Sequence, residues 1–114
     1  LASAQALANA PEIAAVPGID GLFIGASDLL WETGHPGAYA GPVLREAIHR
    51  VAGAARDAGK ISGMGGPREE AVWQEAIAAG IRFAMTENDL SLLMRGARDR
   101  AAFFDRCAQA APRG

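Results

Sequence analysis

The chain has a single cysteine, Cys107, which excludes an internal disulfide and a thiolate metal cluster; its place near the end of a helical pattern suggests packing. No apolar run is long enough to cross a bilayer, because Gly, Pro or charge interrupts each one, and the first residues lack the basic segment of a secretory leader. A cytoplasmic protein with no membrane partner is the expectation. Charge of one sign is also missing: 11 Lys and Arg stand interspersed with 13 Asp and Glu, a net charge of −2, which argues against nucleic acid. Small molecules and protein partners remain. There is no initiating Met before LASAQALANA, and the chain reads as a fragment, entered at the edge of an element.

Half of the 114 residues are hydrophobic, as in one modest globular domain. Ser3 suits the N-cap of a helix over 4–10, and Pro11 begins a further turn that ends before Pro17-Gly18. Strand 22–25 follows. After a Gly/Pro-rich loop over 34–41, Leu44, Ile48, Val51, Ala52 and Ala55 recur at helical spacing until Gly59 stops them. A second strand over 61–64 leads into a helix over 69–79, and a third over 81–85 leads into a long helix over 89–110. The tail over 111–114 should fray. Three β-loop-α units without a hairpin signal predict an α/β protein with parallel strands and right-handed crossovers. A helix already under way at Ser3, with Ala-rich helices that pack closely, suits the C-terminal half of a TIM (β/α)8 barrel.

The stretch GIDGLFIGASDLLWETG, from Gly18 to Gly34, runs a short apolar strand into glycine and, three residues later, Asp28. Leu22, Phe23 and Ile24 suit a strand covered on both faces. Asp28 then stands just past its carboxyl end, where α/β proteins place their ligands; the alternative is an ordinary helix or turn cap.

GIDGLFIGASDL, together with GMGG at Gly63 to Gly66 and the later FAMTENDLSLLMRGA, resembles the HpcH/HpaI aldolase and citrate lyase family. The resemblance runs from about Ser3 to Phe104, and implies a partial barrel domain over 1–114 whose front half is absent. It implies a carbon–carbon lyase that cleaves a 4-hydroxy-2-oxo acid to pyruvate and an aldehyde through a metal-stabilised pyruvate enolate. Asp28, in Ile24-Gly25-x-x-Asp28-Leu29, is then the ligand of a divalent cation (Mg2+, Mn2+ or Co2+). Gly25, Ala26, Ser27 and Asp28 hold the substrate, the last three through backbone N–H groups, and Met64 is an apolar wall of its pocket. The catalytic acid–base residues belong to the front half. Partners implied are a small 2-oxo acid and further copies of the chain, as a dimer or hexamer with the final helix packed across subunits. A gapless register puts the family's second metal-binding carboxylate at Ala2, which leaves a non-catalytic relative, acting as a binding or assembly subunit, as the alternative.

Gly63 to Gly66 could also cradle a phosphate at the next helix, which would make the chain a phosphate-binding α/β module; a loop needing positive φ is the plainer reading. His35 is open between a loop hydrogen bond and a substrate contact, while His49 reads as surface. Glu32 and Trp31 share the loop with His35, and packing is the expectation for Trp31. Asp89 reads as an N-cap, and Arg95, Arg98 and Arg100 as a solvated face with interface salt bridges as the alternative.

Overall fold

The computed structural model of the chain describes residues 1–113. Helices α1 (Ala4–Ala8) and α2 (Ala10–Ala15) precede strand β1 (Gly21–Gly25). The short helix α3 (Ala26–Glu32), helix α4 (Pro42–Asp57) and strand β2 (Ile61–Gly65) follow, then helix α5 (Glu70–Ala79), strand β3 (Phe83–Met85) and helix α6 (Asp89–Ala110). The strands form one parallel sheet in the order β1-β2-β3, with Ile24 opposite Met64 and Met64 opposite Ala84. Leu1 extends it: its N-terminus donates to Phe23 O (2.6 Å) and its carbonyl accepts from Gly25 N–H (3.1 Å), a parallel pairing on the free side of β1.

The period-two alternation sorts the sheet into two faces. Leu22, Ile24 and Met64 point to the helices and join Leu29, Leu30, Leu44, Ile48 and Val51 in the buried core. The helical spacing read in α4 is realised, since Leu44, Ile48, Val51, Ala52 and Ala55 are all buried. On the other face stand Phe23, Phe83 and Met85, with Gly63 and Gly65 between them; the Phe23 and Phe83 rings meet edge-on at 5.8 Å. Glycine is required here by space: a Cβ on Gly63 would lie 2.7 Å from Phe23 Cδ2 and 2.8 Å from the Phe83 carbonyl oxygen. Backbone cannot yield as a side chain can, so Gly63→Ala is expected to destabilise the protein by about 1–3 kcal/mol, read as a lower urea midpoint at unchanged slope.

Several sequence expectations are corrected. The segment after β1 is helical rather than loop, because Ala26, Leu29 and Leu30 bury one face against the core. The third strand is shorter than 81–85: Ile81 turns into the core, and the Arg82 N–H bonds Ser62 O before β3 begins. Asn88, not Asp89, is the N-cap of α6, its side chain accepting from Ser91 N–H at 2.8 Å. Helix α6 buries no residue, and the chain extends 71 Å along its long axis. Cys107 is exposed rather than packed, as is Trp31 at 75%. Ser3 caps α1 through Ala6 N–H, as its position predicts. The expected fraying of the tail reaches Gly114, which lies outside the described residues.

Outside the barrel wall α4 and α5 are joined by polar side chains. Glu75 accepts from Arg45 Nε at 3.1 Å and lies 3.1 Å from His49 Nε2, so His49 is at the surface as read but is partnered. The hydrogen bond with His49, aided by Arg45 and opposed by desolvation, holds the Glu75 carboxyl below its ordinary value. A carboxyl whose folded-state pKa is depressed stabilises the fold above its unfolded pKa, about 4.3, and loses that contribution as pH falls through the folded value. Thermal melts from pH 7 to pH 3 are expected to show Glu75→Gln less stable than the parent near neutrality, with the difference closing in acid.

Candidate active site

The sheet is parallel, so the carboxyl ends of all three strands open on one side, and Asp28 is on that side three residues beyond Gly25. It occupies the first turn of α3, where the N–H groups of Ala26, Ser27 and Asp28 have no acceptor within the helix. N–H donors of this kind at a helix start are the type of group that binds an anion. A Cβ on Gly25 would make only ordinary contacts, 3.6 Å from the Ala2 methyl and 3.7 Å from Asp28 Oδ2. Ala2 and Asp28 thus flank one point at the ends of neighbouring chain segments.

Ser27 Oγ is 2.9 Å from Tyr39 Oη, which ties α3 to the following loop. Gly66, at φ +122°, presses on the same turn; a Cβ on it would sit 3.0 Å from Ser27 Oγ and 3.3 Å from Ser27 N. Gly63, Gly65 and Gly66 are all explained by contacts of this kind. These contacts account for the run without a phosphate cradle, and within it positive φ, the plainer expectation, is found only at Gly66.

The structure brings together Gly25, Ala26, Ser27 and Asp28. Met64 is elsewhere: it is fully buried on the helix-facing side of the sheet, so the strand parity that pairs it with Ile24 removes it from the open face, where Gly63 and Gly65 lie instead. His35 is exposed, with its backbone N–H on Leu30 O, and Glu32 accepts from Ala4 N–H at 3.0 Å. Tyr39 was missed in the sequence, and Gly66 was read only as part of the GMGG run, not as a neighbour of Ser27. Among the described residues no group of three His, Cys, Asp or Glu side chains converges as a metal cage. At this point the structure offers one carboxylate, Asp28, beside the Ala2 methyl.

Residues 1–65 match the family model for HpcH/HpaI aldolase/citrate lyase. The chain belongs to this family. It is similar to a hydroxypyruvate/pyruvate aldolase from Pseudomonas aeruginosa, 38% identical over 104 residues, covering 88% of this chain and 37% of that protein. A 4-hydroxy-2-oxovalerate aldolase from Rhodococcus jostii is 39% identical over 106 residues, covering 93% of this chain and 41% of the relative. Among solved structures, an HpcH/HpaI aldolase/citrate lyase family protein from Burkholderia cenocepacia superposes with a TM-score of 0.81 at 32% identity, covering 91% of this chain and 40% of that one. The chain thus spans about two fifths of the length of these relatives. Its parallel α/β units are those of the family's TIM barrel, consistent with the C-terminal half.

Proposed function

We propose that the protein carrying this chain is a carbon–carbon lyase that cleaves a 4-hydroxy-2-oxo acid to pyruvate and an aldehyde. The observation that carries this reading is a carboxylate, Asp28, set beside free first-turn N–H groups at the carboxyl end of β1. The N–H groups of Ala26, Ser27 and Asp28 hold the carboxylate of the 2-oxo acid, and Gly25 leaves room for it. Asp28 is one ligand of a divalent cation of the Mg2+, Mn2+ or Co2+ class, since hard oxygen donors suit hard cations. Such a cation, when bound, polarises the keto oxygen and stabilises negative charge that develops as the C–C bond breaks. Release of pyruvate from a 4-hydroxy-2-oxo acid by the intact protein, dependent on added cation, is the test; no pyruvate at any cation concentration overturns the proposal.

Ala2 favours a second reading, a relative that assembles or binds but does not cleave. Leu1 pairs beside β1, so position 2 faces Gly25 and flanks Asp28, where a longer carboxylate would share the cation. Changes beyond the ligands alone alter metal affinity by about 10–100-fold, so Ala2→Glu is expected to tighten Mg2+ or Mn2+ by at least about tenfold in calorimetry. Unchanged affinity would remove position 2 from the site.

The reading places the reaction in the cytoplasm, where a thiol as exposed as Cys107 stays reduced. It also makes the protein a homo-oligomer through α6, whose Leu90, Leu92, Leu93, Phe103 and Phe104 are exposed.

A further inference from the structure

Asp28 is exposed, and among the described residues no side chain bonds or pairs with its carboxylate. Its direction is therefore set by the backbone of its own turn, and that turn is gripped at the residue before it. Ser27 lies between two jaws. On the sheet side is Gly66, immediately after β2. A Cβ there would be 3.0 Å from Ser27 Oγ, 3.2 Å from the Ala26 methyl and 3.3 Å from Ser27 N, so any side chain would already crowd the turn. On the other side Tyr39 Oη stands 2.9 Å from Ser27 Oγ.

The two jaws are held in different ways. Gly66 continues a strand whose Gly65 pairs with Gly25 at the foot of the same turn, so it cannot shift without the sheet. Tyr39 belongs to the loop between α3 and α4, where Gly34 and Gly37 take φ of +80° and +77° and a Cβ on either would meet nothing within 4 Å. Such a stretch has little packing of its own to fix it. The Tyr39 ring is the exception: it is partly buried against the core and lines one concavity with Ile48 and Val72. The ring is thus anchored on α4 and α5, and its hydroxyl carries that anchorage to α3. Either hydroxyl can donate to the other, so the pair is complete without a third group.

We infer that Tyr39 is a positioning residue for the cation site: through Ser27, held against Gly66, its hydroxyl fixes the turn that presents Asp28. A loop residue thereby sets how well a ligand is aimed while touching neither cation nor substrate. The cation in this statement rests on the lyase reading; the clasp on the turn rests on the contact between Tyr39 and Ser27 alone. Partners that orient a metal ligand without touching the metal change affinity by about 10–100-fold when lost, and one acting through a neighbouring residue belongs at the low end.

Tyr39→Phe removes the hydroxyl and leaves the packed ring, so it tests the clasp and not the core. In the intact protein it is expected to weaken Mn2+ binding about tenfold in calorimetry. Ser27→Ala removes the other half of the same contact and is expected to do the same. The double variant is expected to lose no more than either single one, because two groups acting through one bond are not additive. A purely structural role for Tyr39 would lower the urea midpoint and leave Mn2+ affinity where it was. The turn itself is read without cation: amide hydrogen exchange over 26–33 is expected to quicken at least about threefold in both variants, with α4 unchanged. Unchanged Mn2+ affinity in Tyr39→Phe, losses that add in the double variant, or unchanged exchange over 26–33 overturns the inference. A parent protein that binds no Mn2+, with exchange over 26–33 still quickened by Tyr39→Phe, overturns the cation reading instead and leaves the clasp in place.

Discussion

Asp28→Ala in the intact protein is expected to lower aldol cleavage by about a thousandfold or more and to remove its dependence on divalent cation. A cation acting as a Lewis acid lowers the barrier by several kcal/mol, and each 1.4 kcal/mol or so is a factor of ten in rate. The carboxylate is exposed in the first turn of α3, outside the core built by Leu29 and Leu30, so its loss removes a ligand and not packing. Only the favourable placement of an acid near a helix N-terminus is lost, about 0.3–1 kcal/mol. Circular dichroism should therefore report a folded protein while calorimetry reports no cation bound. Cleavage retained at saturating Mg2+ would reduce Asp28 to a helix-end residue.

Under the proposed assembly through α6, Phe103→Asp is expected to yield folded monomers. Helix α6 is 22 residues long, about 33 Å, and buries none of them against the rest of the chain. Within this chain Phe103 is 40% exposed and Phe104 59%. The rings contact each other edge-on at 5.1 Å, and the Arg100 guanidinium lies 4.7 Å from the Phe103 ring centre and 5.4 Å from that of Phe104. Arg100 therefore covers part of an aromatic pair instead of standing free in solvent. Burying such a ring contributes about 1.5–3 kcal/mol, and an interface residue of this type costs about 2 kcal/mol or more when lost, a weakening of about thirtyfold. A charge in its place is worse, since it must be desolvated. Helix propensity changes little between Phe and Asp, so helicity should persist. Sedimentation distinguishes the outcomes: monomers with native helicity support the interface, and an unchanged oligomer removes Phe103 from it.

Much of the fold was legible because the local signals agreed with the tertiary ones. The apolar spacing of α4 could be read since a helix of that length must bury one stripe, and Leu44, Ile48 and Val51 are the stripe. The strand before Asp28 was legible for a similar reason, a short apolar run between glycines. Helix α3 was not, because Gly25, Ser27 and Asp28 are turn formers by local preference, and only the burial of Ala26, Leu29 and Leu30 turns that segment helical. Met64 shows a different limit. Its neighbours in sequence place it near the mouth, but which side of the strand it takes depends on register, and pairing with Ile24 sends it to the helices.

By itself the sequence determined the α/β class, the order of the three strands and the helices other than α3, and the presence of an acid just beyond a buried strand. These follow from periodicity, glycine stops and charge, all of which act over a few residues. Only the tertiary structure decided that position 2 flanks Asp28, that Gly66 lies against Ser27, that Glu87 is buried with an unpartnered oxygen and that α6 stands clear of the sheet. Each joins segments that are far apart along the chain or depends on which face a side chain takes. Such placements are set by how whole elements pack, and no local preference encodes them.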